Sequence, residues 1–416
     1  MLHKTMDKLN LKLSGKLTRH KQAYLLVVLA LVTWSNLASE FYDPASLSGT
    51  RGIQLIPEAT VSLQTTDNLY FQTDNTTRSN LIWFKPSVKA GWGDGLNYAW
   101  LAYQAQIKSV SQFKQDDYSD HQLQAAVKYD VHSKHKLKLL ADLSSLHQER
   151  GTGLTERNYQ LIDSPLNYLF TNLSSSYKYG AESAKAMLGV GLAYSKKQYQ
   201  NYQTLTTGRN FEKQKIWTDF EYDLGPVTAT TFDLTTEKLN YDLADGTQIN
   251  RNHRTDKFLI GIKWQGLAKT TGRLKLGWQR KIFETSQQAN FYGTAVDIGL
   301  TWQPKTYSSF SFNLAKSAKD SETEGAFIKL IEWRFKWLHE WSETGATRME
   351  LTRNHQNYIG QSGRKDTDLA ILAAYEFKLT RWFKADIHFN RQVHKSTSAD
   401  LTFDKNLIGF TLTGGL

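Results

Sequence analysis

Residues 295–315 read AVDIGLTWQPKTYSSFSFNLA. Val296, Ile298, Leu300 and Trp302 alternate with Asp297, Gly299 and Thr301. After a break at Gln303, Pro304 and Lys305, Phe310, Phe312 and Leu314 alternate with Ser309, Ser311 and Asn313. Successive strand side chains point to opposite faces, so the stretch is a β-hairpin with one apolar and one polar face. Something must cover the apolar face.

The same two-residue alternation recurs from Glu58 to the end, and no convincing helix interrupts it. It predicts eighteen strands, at 58–64, 81–91, 96–108, 121–130, 135–146, 167–179, 184–196, 212–223, 227–238, 254–264, 271–283, 292–302, 306–316, 326–337, 343–353, 366–378, 381–391 and 404–413. Their connections alternate short and long. The short ones are WGDG (92–95), HSK (132–134), GAES (180–183), LGP (224–226), QGLAKT (265–270), QPK (303–305), LHEWS (338–342) and LT (379–380). The long ones are polar, and the longest, 147–166, contains HQERGTGLTERN. A soluble sandwich has no reason to keep its short turns on one edge. A transmembrane antiparallel up-and-down β-barrel does, with tight periplasmic turns, long external loops and an even strand number. The apolar face is then covered by lipid, and closure pairs the strand edges.

Aromatic residues agree. Trp92, Tyr98, Trp100, Tyr177, Tyr179, Trp264, Trp302, Tyr307, Trp337, Trp341, Tyr375, Phe377, Trp382 and Phe383 stand beside the short turns, as an interfacial girdle would.

Composition permits this reading. Of 416 residues 40% are hydrophobic, low for a membrane protein of helices but natural where half of every strand faces water. No run of about 20 apolar residues occurs, so no ordinary transmembrane helix is expected. There is no cysteine, which excludes disulfide scaffolds, thiolate metal sites and Cys nucleophiles. The formal charge is +11, of which residues 1–39 supply +5. The remaining +6 is spread out with no nucleic-acid motif, so nucleic acid is not an expected partner. Residues 3–21 are basic, AYLLVVLALVTW (23–34) is apolar and SNLAS follows, the layout of a secretory signal peptide. The expected organisation is a signal peptide (1–39), a periplasmic segment (40–57) and an outer-membrane barrel (58–416) in a Gram-negative bacterium.

The polar faces nominate lumen residues. Arg273 and Lys275, then Glu332, Arg334 and Lys336, then Arg348 and Glu350, and last Lys384, Asp386 and His388, with the uncharged Asn390 next in the same series, alternate with apolar neighbours. Both charge signs are present, so the lumen is mixed rather than a plain anion or cation filter. The simplest role for such charges is to pair with one another and hold water; contact with a passing substrate is the alternative. Lys329 interrupts its strand's pattern, at a bulge or by snorkelling.

Chemistry is sparse. His132 and His135 flank a tight turn without further ligands, so no metal is expected. No G-x-S-x-G motif occurs, and GTG (151–153) is too short for a phosphate loop. The chain is therefore expected to be no enzyme and to carry no cofactor. Tyr118, Tyr159, Tyr199, Tyr202, Tyr241 and Tyr358 fall in or beside the external loops, where they could stack on sugar rings or be ordinary loop residues.

Several stretches resemble the outer-membrane barrels called "putative beta-barrel porin 2", which include the EpsL-like proteins of exopolysaccharide and capsule gene clusters. They are GIQLIPEATVSLQTTDNLY (52–70), YSDHQLQAAVKYD (118–130), HQERGTG (147–153), YKYGAESAKAMLGVG (177–191), LAKTTGRLKLGW (267–278), WQPKTYSSF (302–310) and FDKNLIGFTLTGGL (403–416). Two features depart from that pattern. The first strand ends in Thr66, Asp67 and Asn68 where the family has a Tyr-Asp-Asp-Asn-like turn, and Leu416 stands last where many barrels carry an aromatic for the insertion machinery. Phe410 and Leu412 could serve in its place. The resemblance implies a part in exopolysaccharide or capsular polysaccharide biosynthesis or export, with outer-membrane lipid, the polysaccharide, periplasmic and inner-membrane export proteins and the barrel insertion machinery as partners. The alternatives are a general or solute-specific diffusion porin and, third, a lipid-modifying enzyme.

Overall fold

The computed structural model describes residues 47–48, 52–93, 96–242, 250–360 and 363–415. The expected signal peptide, most of the 40–57 segment and Leu416 lie outside the described residues.

Eighteen long strands form a closed antiparallel barrel. They are β1 (Gln54–Thr66), β2 (Ser79–Gly93), β3 (Tyr98–Val110), β4 (Tyr118–His132), β5 (His135–Gln148) and β6 (Leu166–Tyr179). Next come β7 (Ala186–Tyr199), β8 (Phe211–Gly225), β9 (Thr228–Tyr241), β10 (His253–Leu267), β11 (Thr270–Phe283) and β12 (Phe291–Lys305). The last are β13 (Ser308–Asp320), β14 (Phe327–Ser342), β15 (Gly345–Ile359), β16 (Lys365–Lys378), β17 (Phe383–Ser396) and β18 (Phe403–Gly415). Each pairs with its sequence neighbours, and β18 returns to β1 over Leu407↔Thr66 to Gly415↔Glu58. Two residues, Leu47–Ser48, add a short pairing to the start of β1. No helix among the described residues is long and apolar enough to cross a membrane; the strands cross instead.

The distribution of side chains is inside out. Val61, Leu63, Leu188, Leu192, Ile216, Leu276 and Ile408 are exposed on the outer wall, while Ser62, Lys108, Asp142, Lys275, Glu376 and His388 are buried within. In water such a surface would cost about 25 cal/mol for each Å² of apolar area left wet. In a bilayer the same surface is satisfied, and every strand keeps its backbone hydrogen bonds.

The hairpin of β12 and β13 follows this plan with one shift. Leu300 and Trp302 are exposed outward. Inside, Asp297 binds Arg273, and Thr301 and Ser311 share a hydrogen bond of 3.1 Å. Gly299 has no side chain because the Arg273 guanidinium lies across it; a Cβ there would stand 2.2 Å from that group. The turn is not at Gln303–Lys305. Register shifts between Trp302 and Lys305, and the chain reverses after Lys305, at residues 306–307. Pro304 sits in the irregular segment, where a missing N–H breaks no ladder bond.

Three other expectations need correction. β1 begins at Gln54, ahead of residue 58. Lys329 causes no bulge: pairing runs unbroken from Ser308↔His339 to Asp320↔Phe327. Its side chain faces outward near the external end, with Nζ 5.5 Å from the Phe291 ring centroid, so snorkelling accounts for it. Tyr98 and Trp100 do not join the girdle. Leu101, Tyr103 and Ile107 hold the outward parity of β3, so Tyr98 and Trp100 face inward, under Lys128 and Lys89 respectively. Trp92, Tyr177, Tyr179, Trp302, Tyr307, Trp341, Tyr375, Phe377 and Phe383 are exposed near the short turns.

Polar side chains reinforce the seam between β18 and β1. Thr60 meets Thr413 at 3.1 Å and Ser62 meets Thr411 at 2.9 Å. At the external end, Asp67 accepts from the Asn406 backbone N–H at 2.7 Å, and Asn68 donates to the Asp404 carbonyl at 2.9 Å. The unusual Thr66-Asp67-Asn68 ending of β1 is thus a staple across the seam.

Candidate functional site

The site is the lumen and its external mouth. All ten nominated residues lie on inward-facing positions of their strands, and they fall into three groups. On β11, Arg273 pairs with Asp297 at 2.8 Å and Lys275 pairs with Asp233. On β14 and β15, Arg334 lies 3.1 Å from Glu350 and 3.7 Å from Glu332, and Lys336 lies 3.3 Å from Glu350. Arg348 reaches Glu376 at 3.0 Å. On β17, His388 Nδ1 is 2.8 Å from Asp386, and Lys384 interacts electrostatically with Glu58. In these groups opposite charges neutralise one another, which lowers the cost of holding ions in a narrow, poorly solvating space.

The mouth lies beyond the reach of strand alternation. The 149–165 connection does not project outward; it folds across the opening. Its root is fixed by Arg150, buried and bound to Asp116 at 2.6 and 2.7 Å, to the Tyr70 hydroxyl at 2.8 Å and to the Ile162 carbonyl at 3.2 Å. Tyr70 donates to Asp116 at 2.6 Å and stacks on Tyr159 at 4.1 Å between ring centroids. Burial and the neighbouring Asp116 push the Tyr70 phenol well above its ordinary range. Lys108 holds Glu149 at 2.5 Å. Burial alone would raise the Glu149 carboxyl, but Lys108, Lys405 and His147 overcome it and hold it down at about 2.

The GTG motif serves this fold. Gly151 has φ +82°, and a Cβ on it would lie 2.0 Å from the Tyr70 carbonyl oxygen. Only glycine allows the loop to turn and pass so close to its neighbour.

The far end of the loop reaches strands on the other side of the barrel. Glu156 binds Arg364 at 2.6 Å, and Arg157 binds Asp400 at 2.6 Å and Glu324 at 3.2 Å. Arg364 also binds Glu324 at 3.1 Å and Asp366 at 2.6 Å, and it lies over the Tyr358 ring. The connection between β13 and β14 reaches back in the other direction. Arg209 donates to the Glu322 carbonyl at 2.7 Å, and Arg251 donates to the Ser321 carbonyl at 3.0 Å. The loops thus meet over the lumen through ion pairs and hydrogen bonds.

Beneath them lies a cavity of about 240 Å³. Arg334, Arg348 and Glu350 line it; the other seven nominated residues do not. It is also lined by Thr352, Asn354, Gln356, Ala370, Leu372, Asn390 and Gln392. Thr352, Asn354 and Gln356 continue the inward alternation of Arg348–Glu350 toward the outside, Asn390 and Gln392 continue that of Asp386–His388, and Ala370 and Leu372 hold the inward parity of β16 between them. The six tyrosines are not free loop aromatics. Tyr118 stacks on His147, Tyr159 on Tyr70, and Tyr199, Tyr241 and Tyr358 stand on the cavity wall. Tyr202 hydroxyl accepts from the Asp163 and Ser164 backbone N–H groups.

His132 and His135 face each other at the turn with ring centroids 6.3 Å apart, and His135 is bonded to Tyr177. No group of three or more His, Cys, Asp or Glu among the described residues could hold a metal ion.

The family model described as "Putative beta-barrel porin 2" matches residues 53–415. The chain belongs to that family. It is an outer-membrane, porin-like β-barrel. A search of curated proteins gave no match. Among solved structures, this porin-family chain is similar to OpdK of Pseudomonas aeruginosa, crystallised with vanillate: 10% identity, TM-score 0.48, covering 87% of this chain and 99% of that one. It is also similar to the siderophore receptor PiuA of Acinetobacter baumannii (9% identity, TM-score 0.47, 89% and 82% covered). The ferric citrate transporter FecA is a third (11%, 0.46, 82% and 60%).

Proposed function

We propose that this barrel is the outer-membrane conduit for an exopolysaccharide or capsular polysaccharide, with the external loops as its gate. The observation that carries the reading is the mouth. Connections from opposite sides of the barrel are tied by ion pairs that can separate and re-form, above a lumen in which Arg273, Lys275, Arg334, Lys336 and Arg348 are each paired with a carboxylate. A polymer threaded outward needs a long, wet path without a strong single-sign field, and a closure that opens only during transport. The resemblance to EpsL-like barrels supports the choice of cargo. Periplasmic and inner-membrane export proteins would deliver the chain to the short-turn end.

A clean deletion strain tests this. Loss of surface polysaccharide, with polymer retained inside the envelope, is the expected result. Unchanged polymer, together with a large and steady conductance of the purified barrel in planar bilayers, would make it a diffusion porin instead.

A further inference from the structure

We propose that the inner wall of β14–β17, beneath the closed loops, is a saccharide subsite that holds a sugar ring of the exported chain; this rests on the export reading above. Two side chains there point to a ligand. Asn354 and Asn390 are 5% and 6% exposed, and their carboxamide oxygens accept no hydrogen bond from the protein. Both line the cavity. A buried polar atom without a protein partner is costly, and native proteins keep few of them. Here the two stand on one wall. Asn354 is paired across the sheet with Glu332 and Asp368, and Asn390 with Leu372.

Between them the lumen changes character. Elsewhere the inward positions are mostly charged or polar, but on β16 Ala370, Leu372 and Ala374 follow one another inward. Ala370 is paired with Thr352 and Gln392, and Leu372 with Glu350 and Asn390. An apolar strip on the strand next to each carboxamide suits one molecule class above others. A pyranose ring presents a C–H face that an apolar floor can cover, and hydroxyls at its edge that carboxamides and a threonine can bond. Arg348 is paired across the sheet with Ala374 at the inner end of the strip, Arg334 lies beyond Thr352, and each arginine is already paired with a carboxylate. Such pairs offer both donors and acceptors to hydroxyls without selecting for net charge. A pocket of a few convergent polar groups around an apolar surface is the usual form of a small-ligand site.

The test uses the full-length barrel in detergent. Its probe is the set of hexa- to octasaccharides obtained by partial hydrolysis of the surface polymer that disappears on deletion. Titration calorimetry compares the native protein with the double variant N354L/N390L. Neither asparagine oxygen accepts a protein hydrogen bond, so the leucines break none there, and heat-modifiable migration on gels checks that the barrel is intact. The native protein should bind the fragments, and the variant should bind roughly tenfold to a hundredfold more weakly, as expected for two lost hydrogen bonds to hydroxyls. N354S/N390S, which keeps a hydroxyl at each place, should recover part of the loss. Polymer lost on deletion with fragments that fail to bind, or that bind both proteins equally, overturns the subsite alone. Polymer unchanged on deletion overturns the export reading and the subsite with it.

Discussion

Replacing Arg364 by alanine should unlatch the mouth. The Arg364 side chain is 2% exposed, and it holds Asp366, Glu156 and Glu324 together while lying over Tyr358. Burial works against its charge, but hydrogen bonds to Asp366 and Glu156 hold the guanidinium above even the ordinary arginine range. Truncation leaves three carboxylates facing one another without their cation. Removing one partner of a buried ion pair costs about 3–5 kcal/mol. If that cost falls on the closed arrangement, the open-to-closed ratio rises by roughly two to three and a half decades. Arg157 is the internal comparison. Its side chain is 45% exposed, and its partner Asp400 is 54% exposed. Exposed pairs are worth about 0.2–1 kcal/mol, so R157A should shift the ratio by no more than roughly fivefold. Single-channel recording in planar bilayers reads the ratio from open and closed dwell times. R364K, which keeps the charge and loses the planar fork, should fall between. Equal behaviour of R364A and R157A, both close to the native protein, would refute the idea that Arg364 holds the loops shut.

Three further outcomes follow from the same geometry. The Glu149 carboxyl is depressed from 4.5 to about 2, so its anchoring of the 149–165 loop is fully present above pH 4.5 and fades as pH falls toward about 2; hydrogen exchange in that loop should accelerate across this window and stay flat above it. G151V should free the same loop, because valine fits neither φ +82° nor a contact 2.0 Å from the Tyr70 carbonyl; limited proteolysis should cut within 149–165 in the variant and spare the native loop. L192R places a charge on the lipid face at the middle of β7 and should cost about 2–4 kcal/mol in folding titrations in lipid vesicles, whereas S174R, inward on β6, should cost less than half as much.

Much of the barrel is legible in the sequence because a strand's period is two, and lipid and water enforce it on opposite faces. Eighteen strands, their hairpin order and the inward placement of all ten nominated residues follow from parity. Tyr98 and Trp100 show where reading by location fails: both lie beside a short turn, but parity sends them inward. The turn after Trp302 is displaced because Pro304 marks an irregularity, and the reversal comes just beyond it. The mouth is hidden for a different reason. Loop positions have no period, and the partners of Arg157 and Arg364 lie as far as 243 and 208 residues away. Nothing local marks an arginine as one that will cross the barrel. Asn390 stands in the same readable alternation as Lys384, Asp386 and His388, and Asn354 follows Arg348 and Glu350 by the same parity, but nothing in the sequence marks either amide as one left without a protein partner.

The seam has a consequence for how the molecule comes into being. Every other neighbouring pair of barrel strands is a hairpin and can zip as soon as its two arms exist. β18 and β1 sit at opposite ends of the chain, and Thr60 must wait for Thr413, 353 residues later. Assembly in the membrane can therefore proceed hairpin by hairpin, but the ring is completed in one late step. Until then two bare edges face the bilayer, where unpaired amides are not tolerated. Damage to β18 would accordingly leave an open sheet with no place to rest, rather than a barrel short of one stave.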